Sequence, residues 1–164
     1  MIEGKLSPSP LRGRGLTLLL LLSCGYRFTA PNASLPGNVR AAHVPLFTNR
    51  TAEPGAELPF TQAARDQLDR AGRLGDANAE AVLDGTILAV SSGPFMPRVF
   101  RMTVTLGLSL KKAGREVGAS TVTVSEEFPS GADVLLTESN RAAALTRLAE
   151  AAVREGLERL QTPN

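Results

Sequence analysis

The chain has 164 residues, 43% hydrophobic and 21% charged, the balance of a globular domain and not of a disordered tail. Its net charge of +2 comes from residues 1–23, which hold three of the 18 basic residues (Lys5, Arg12, Arg14) and one of the 16 acidic ones (Glu3), leaving 15 of each. A neutral body excludes nucleic acid as the expected partner, and a lone cysteine excludes an intrachain disulfide and a cysteine metal cluster.

The chain opens with a basic lead, then Leu16 to Cys24, reading LTLLLLLSC. A basic lead, an apolar run of roughly 7–15 residues and a small residue before a cut form the layout of a secretory signal. The run is too short to span a bilayer, which takes roughly 20 apolar residues. Leu21-Leu22-Ser23-Cys24 resembles the bacterial lipoprotein box, with Leu22 where Ala, Ser or Thr is commoner. That resemblance implies cleavage after Ser23, then acylation of Cys24 on its sulfur and on the new amino group. Gly25 follows, not the Asp that usually retains lipoproteins in the inner membrane. Two plainer readings stand beside this one, an uncut N-terminal anchor and a free structural cysteine. One acyl chain holds a protein only marginally, at about 0.8 kcal/mol per buried methylene, while two or more anchor it. The expected division is a signal peptide over 1–23, a lipidated tether over 24–38 and one domain over 39–164.

The tether is rich in turn formers, with Pro31, Asn32, Pro36 and Gly37. Val39 to Phe47 reads as a first strand, with Pro45 pointing to an edge or a strand end. Asn49 to Pro59 reads as a loop. Phe60, Ala64 and Leu68 recur every four residues and predict a helix over 60–71, with Pro59 in its first turn and Gly72 at its end. Ala81 to Val90 is an apolar run suited to a buried strand. Ser91 to Pro97 reads as a break. Arg98 to Leu110 alternates cleanly, with Phe100, Met102, Val104, Leu106, Leu108 and Leu110 on one face and Arg101, Thr103 and Thr105 on the other. Lys111 to Arg115 reads as a hairpin connection, Glu116 to Glu126 as the returning strand and Phe128 to Leu136 as a loop.

A last helix is predicted over 138–160, capped by Thr137. Leu145, Leu148, Ala149, Ala152, Val153, Leu157 and Leu160 form its apolar stripe. Glu150–Arg154 and Glu155–Arg159 are opposite charges four apart. The order β-α-β-β-β-α predicts an α/β (α+β) two-layer sandwich, a four-stranded mixed sheet with both helices on one face. The polar face of the third strand is left for water or for another protein.

Residues suited to chemistry are sparse. His43 is the only histidine, in an apolar stretch and without a placed partner, so it reads as packed or solvated. Ser91-Ser92-Gly93 lacks the flanks of a nucleophile elbow. Gly13-Arg14-Gly15 lies inside the signal and cannot be a phosphate loop. Asp76, Glu80 and Asp84 are four apart, yet Gly75 and the strand that follows break any helix aligning them. No enzyme activity, cofactor or metal is expected.

Four stretches are similar to one known family. Cys24-Gly25-Tyr26-Arg27-Phe28 looks like its opening after the lipid cysteine. Leu35-Pro36 with Val44-Pro45-Leu46-Phe47-Thr48-Asn49-Arg50-Thr51 looks like its first strand. Glu53-Pro54-Gly55-Ala56-Glu57-Leu58 looks like its approach to the first helix, and Ala81-Val82-Leu83-Asp84-Gly85-Thr86-Ile87 looks like its second strand. The chain resembles the LPS-assembly lipoprotein family, LptE, over nearly all its length, the lead of residues 1–15 being a departure. The resemblance implies an outer-membrane lipoprotein on the periplasmic side. Such a protein plugs an LptD-like β-barrel, helps it assemble and binds lipopolysaccharide. The alternative is another outer-membrane lipoprotein adaptor, a peptidoglycan-synthase activator or a secretion-pore subunit, because fold alone does not fix function.

Lipopolysaccharide carries phosphates, which Lys and Arg bind through charge-assisted hydrogen bonds. After Lys5 the only lysines are Lys111 and Lys112, at one hairpin tip with Arg115; Arg98 and Arg101 lie at the far end of the same strand. Either end can offer a phosphate site. The competing reading is edge protection, since charges at strand ends discourage sheet-to-sheet pairing.

Overall fold

The computed structural model describes residues 35–161, so the signal, Cys24 and most of the tether lie outside the described residues. A 3-10 turn, Pro36–Asn38, is followed by β1 (Ala42–His43), β2 (Thr48–Asn49), α1 (Glu57–Arg70), β3 (Ala81–Met96), β4 (Val99–Lys112), β5 (Arg115–Pro129) and α2 (Val134–Gln161). The sheet order is β1-β3-β4-β5, with β2 also pairing β3. β1 and β2 run parallel to β3, while β3, β4 and β5 form an antiparallel meander. The sheet is mixed, as expected, but it has five strands.

The extra strand comes from the predicted first one. Val39–Phe47 does not run straight; it splits into β1 and β2, each two residues long. Pro45 has no N–H to give to a ladder, and the chain bends there. Val44 and Phe47 turn into the core while Leu46 stays 58% exposed. The bend is held from α1. Arg65 donates from Nε and Nη2 to the Val44 carbonyl at 3.1 and 2.9 Å, and the Phe47 N–H donates to Thr61 Oγ1 at 2.9 Å. The Phe47 ring then lies over Gly85, where a Cβ would meet it at 2.3 Å.

α1 begins one turn earlier than predicted, at Glu57. It ends as Gly72 foretold, with φ +65°. Gly72 N–H donates to Asp69 O and Arg73 N–H to Leu68 O, the paired bonds of a Schellman end.

β3 runs on through Gly93 and Pro94, which were expected to break it. Those residues pair with Arg101 and Phe100 on β4, and the register shifts twice, between Ile87 and Ala89 and between Pro94 and Met96. The strand partner overrides the local turn signal. A two-residue turn, Pro97-Arg98, joins β3 to β4. Ala113-Gly114 joins β4 to β5, both residues at positive φ, +49° and +77°, as a primed hairpin turn requires. β5 is also longer than predicted. Phe128, expected in a loop, is a 2% exposed strand residue whose ring stacks on Phe100 at 5.6 Å.

The alternation of β4 is as read. Met102, Val104, Leu106, Leu108 and Leu110 are buried and join α1 and α2 residues in one core. Every member of the predicted α2 stripe is buried, from Leu145 to Leu160. Gly156 lets the helix lie close on β4, since a Cβ there would sit 2.7 Å from Leu108 Cδ1. α2 starts at Val134, four residues before the prediction. Its cap is Asp133, not Thr137: Asp133 Oδ1 accepts from Leu136 N–H at 2.8 Å. Thr137 Oγ1 accepts instead from Gly131 N–H, folding the preceding loop back. Of the two predicted helix pairs, Glu155–Arg159 forms; Glu150–Arg154 is not among the ion pairs of the described residues. Arg159 also donates to the Thr121 carbonyl on β5 at 2.9 Å.

Candidate functional site, two basic ends of one strand

β4 carries the candidate cations at its two ends, and the structure treats them differently. At the β4–β5 turn, Lys111 Nζ lies 2.8 Å from Asp84 Oδ2 on β3. The hydrogen bond to Asp84 raises the Lys111 pKa above its ordinary 10.5. Lys112 Nζ lies 3.0 Å from Glu80 Oε2 and also reaches the Gly37 carbonyl at 3.3 Å. Glu80 is held below its ordinary 4.5, first by the Arg40 N–H and then by Lys112. Of the three, only Arg115 has no side-chain hydrogen bond or ion pair among the described residues.

At the β3–β4 turn, Arg98 stands exposed on left-handed backbone, φ +64°, with no side-chain partner among the described residues. Arg101 follows three residues on. Its Nη2 lies 2.7 Å from Glu127 Oε1 on β5. Its guanidinium carbon sits 3.4 Å from the Phe95 ring centroid, a cation–π contact. The turn borders a shallow depression of about 460 Å³ lined by Pro94 through Phe100. A second, of about 410 Å³, adjoins it through Arg101, Ser125, Glu126 and Glu127. Phe95 and Met96 are 42% and 51% exposed there. The two sequence-predicted clusters therefore lie at opposite ends of β4 and are not brought together.

Between these ends the sheet shows a polar face on which no described helix packs. Thr103 Oγ1 and Ser125 Oγ are 2.8 Å apart, Thr105 Oγ1 and Thr123 Oγ1 3.0 Å, and Ser109 Oγ donates to Glu116 Oε2 at 2.6 Å. Cross-strand hydroxyl pairs of this kind satisfy one another and leave a flat, nearly uncharged surface. His43 lies half-buried in β1. Among the described residues no three His, Cys, Asp or Glu side chains converge as metal ligands, and no helix is long and apolar enough to cross a membrane. Asp84 and Glu80 are engaged as ion-pair partners of the lysines. That role was missed in the sequence, because each pair spans residues far apart in the chain.

Comparison with known proteins places the fold. The chain matches the model of the LptE family, Lipopolysaccharide-assembly, over residues 39–160. No curated protein gives a significant sequence match. Among solved structures it is similar to the PelC dodecamer from Paraburkholderia phytofirmans (21% identity, 80% of this chain and 92% of that one, TM-score 0.52). It is also similar to protein XCC0632 from Xanthomonas campestris (16% identity, 80% and 90%, TM-score 0.54). The rare lipoprotein B from Shewanella oneidensis aligns at 9% identity over 66% and 88%, with a TM-score of 0.48. At these identities the PelC and XCC0632 structures speak for the fold alone. The family match spans the whole α/β body, from the residue before β1's approach to the last buried leucine of α2, and so the chain belongs to the LptE family of lipopolysaccharide assembly.

Proposed function

We propose that the protein is an outer-membrane lipoprotein, anchored through Cys24 on the periplasmic side. In this reading it plugs an LptD-like β-barrel, aids the barrel's assembly and binds lipopolysaccharide. It acts by binding and positioning and not by catalysis. The observation that carries this reading is the family match over residues 39–160. The surface chemistry agrees with it. Barrels wide enough to enclose a domain have polar interiors, and the hydroxyl-paired face of β4 and β5 offers a polar, nearly neutral wall. Of the two basic ends, the Arg98–Arg101 end is the better candidate for lipopolysaccharide phosphates. Arg98 is uncommitted there, whereas Lys111 and Lys112 are already neutralised by Asp84 and Glu80.

Two experiments test the proposal. The native protein, tagged and extracted from detergent-solubilised outer membranes, should bring down a large β-barrel partner; recovery without one would sink the plug reading. Cys24→Ala should abolish palmitate incorporation and leave unprocessed precursor, and normal labelling of that variant would remove the lipid anchor. A second reading, an adaptor of another outer-membrane assembly, draws on the fold shared with a protein that forms a dodecamer. Copurification of a ring of like copies without a barrel would favour it.

A further inference from the structure

β5 ends the sheet order, so one side of its ladder has no strand beside it. Its register with β4 is unbroken from Gly118 to Pro129. In an antiparallel ladder alternate residues bond the neighbouring strand, and those between them turn N–H and C=O outward. The outward set is fixed at both ends. Arg159 on α2 donates to the Thr121 carbonyl at 2.9 Å, and Asn140 on α2 to the Pro129 carbonyl at 3.0 Å. Ser130 N–H, the next residue on, bonds inward to the Arg98 carbonyl at 2.8 Å. Thr121, Thr123, Ser125, Glu127 and Pro129 therefore face outward. Proline has no N–H, so the edge is closed at Pro129, and Arg159 closes the carbonyl at Thr121. Between those ends the outward groups of Thr123, Ser125 and Glu127 have no partner among the described residues. Edge strands are usually blunted by charge, proline or a bulge. Here Thr123 and Ser125 are small, exposed and uncharged. The acids beside them are turned to their own cations, Glu126 to Arg147 and Glu127 to Arg101.

We propose that the outer edge of β5, from Thr123 to Glu127, is a strand-pairing site for a second copy of this chain, added antiparallel about a two-fold axis at Ser125. The open edge is complementary to itself. With the axis at Ser125, Thr123 of each copy lies opposite Glu127 of the other and Ser125 opposite Ser125, so every open group on both copies is bonded. An axis at Thr123 or Val124 instead sets Thr121, whose carbonyl Arg159 already holds, against Ser125 or Glu127. No like charges stand directly opposite, since Glu126 meets Val124 and Glu127 meets Thr123, and like pairs would destabilise the contact. Serine and threonine meeting across the axis repeat the hydroxyl pairing of β4 with β5. Main-chain bonds supply the affinity in strand addition of this kind. The contact is short, so dilution reverses it. The proposal needs neither the barrel nor the lipopolysaccharide of the reading above, and its test can fail without touching that reading.

The test uses the purified full chain in detergent. Hydrogen-bonded antiparallel pairs hold their Cα atoms about 5.5 Å apart, within reach of a disulfide. Ser125→Cys should therefore be trapped as a covalent dimer under mild oxidation, while Ala119→Cys, exposed on the same strand but outside the open edge, and the unaltered chain with its Cys24 stay monomeric. In sedimentation over a dilution series the unaltered chain and Thr121→Asp should show a reversible monomer–dimer equilibrium. Ser125→Asp, which sets like charges across the axis, should remain monomeric with its melting temperature unchanged, since the side chain is exposed. Equal trapping of Ser125→Cys and Ala119→Cys overturns the proposal as random collision. A monomer at every concentration with no trapped dimer overturns it outright. Trapping of Ser125→Cys to a different protein in intact membranes, with no dimer, overturns the second copy in favour of a partner's strand.

Discussion

Both ends of β4 carry basic residues, two lysines and an arginine at one and two arginines at the other, and the fold surrounds them differently. At the β4–β5 end each lysine meets a carboxylate, and Lys112 also meets a carbonyl of the 3-10 turn. Those contacts tie β3, β4 and the N-terminal turn together. At the β3–β4 end Arg98 meets no acid, Arg101 is shared between Glu127 and an aromatic face, and apolar side chains lie open. A count of basic residues favours the β4–β5 end, three (Lys111, Lys112, Arg115) to two (Arg98, Arg101). What separates them is whether the fold supplies counter-charges, because a cation already paired has less to offer an incoming phosphate.

The largest test of this contrast asks whether the ends differ in rigidity as well as in charge. Met102 and Leu110 are both fully buried on β4, one beneath each end. Met102→Ala and Leu110→Ala should each cost about 2–5 kcal/mol in denaturant unfolding. Similar losses would leave charge pairing as the difference. A much cheaper Met102→Ala would show that the β3–β4 end is loosely packed.

A smaller effect is expected in binding. Arg98→Glu with Arg101→Glu should lower lipopolysaccharide affinity by about tenfold, or ~1.4 kcal/mol. Changing Lys111, Lys112 and Arg115 to Glu should cost less than about threefold. The reverse order in a calorimetric titration would move the site to the β4–β5 end and leave Arg98 and Arg101 as edge guards.

The smallest effect lies in pH. The Glu80 pKa is lowered in the fold, so its contribution to stability is present above the ordinary 4.5 and lost as pH falls through the depressed value. The Lys111 pKa is raised, so its contribution is full below 10.5 and lost as pH climbs through the raised value. Between those limits the β4–β5 end should be indifferent to pH. Glu80→Gln should flatten the acid limb of a melting-temperature profile, and Lys111→Met the alkaline limb. Unchanged limbs would mean that the pairs are not held in solution.

Where the fold was legible, periodicity made it so. The strict alternation of Phe100 to Leu110 and the stripe of α2 follow from one-sided burial, and both are as read. The errors fall where a partner outvotes a local signal. Gly93 and Pro94 look like a break, but β4 pairs with them. Pro45 marks a bend that splits one strand into two. Thr137 is a good cap residue, yet Asp133 four residues earlier takes the helix end. At the candidate site the cations were visible and their partners were not, since Lys111 and Asp84 lie 27 residues apart. Val134, Leu135 and Leu136 read as loop because hydrophobicity alone cannot tell a residue about to be buried from one left in solvent.

The meander has a length, and the length bears on where each end can be. Fourteen residues of β4 at about 3.2 Å each span about 45 Å, against roughly 30 Å for the hydrocarbon of a bilayer. The chain enters at the β4–β5 end, where Gly37 lies against Val117 and Pro36 against Gly118. The Arg98 end is therefore the far one. On the reading proposed above, an anchor at Cys24 would leave the lysine end nearer to it and the Arg98 end farther from it. The ladders that run along β3, β4 and β5 hold the two ends at that separation, so the distance from the chain's entry to Arg98 is set by strand length.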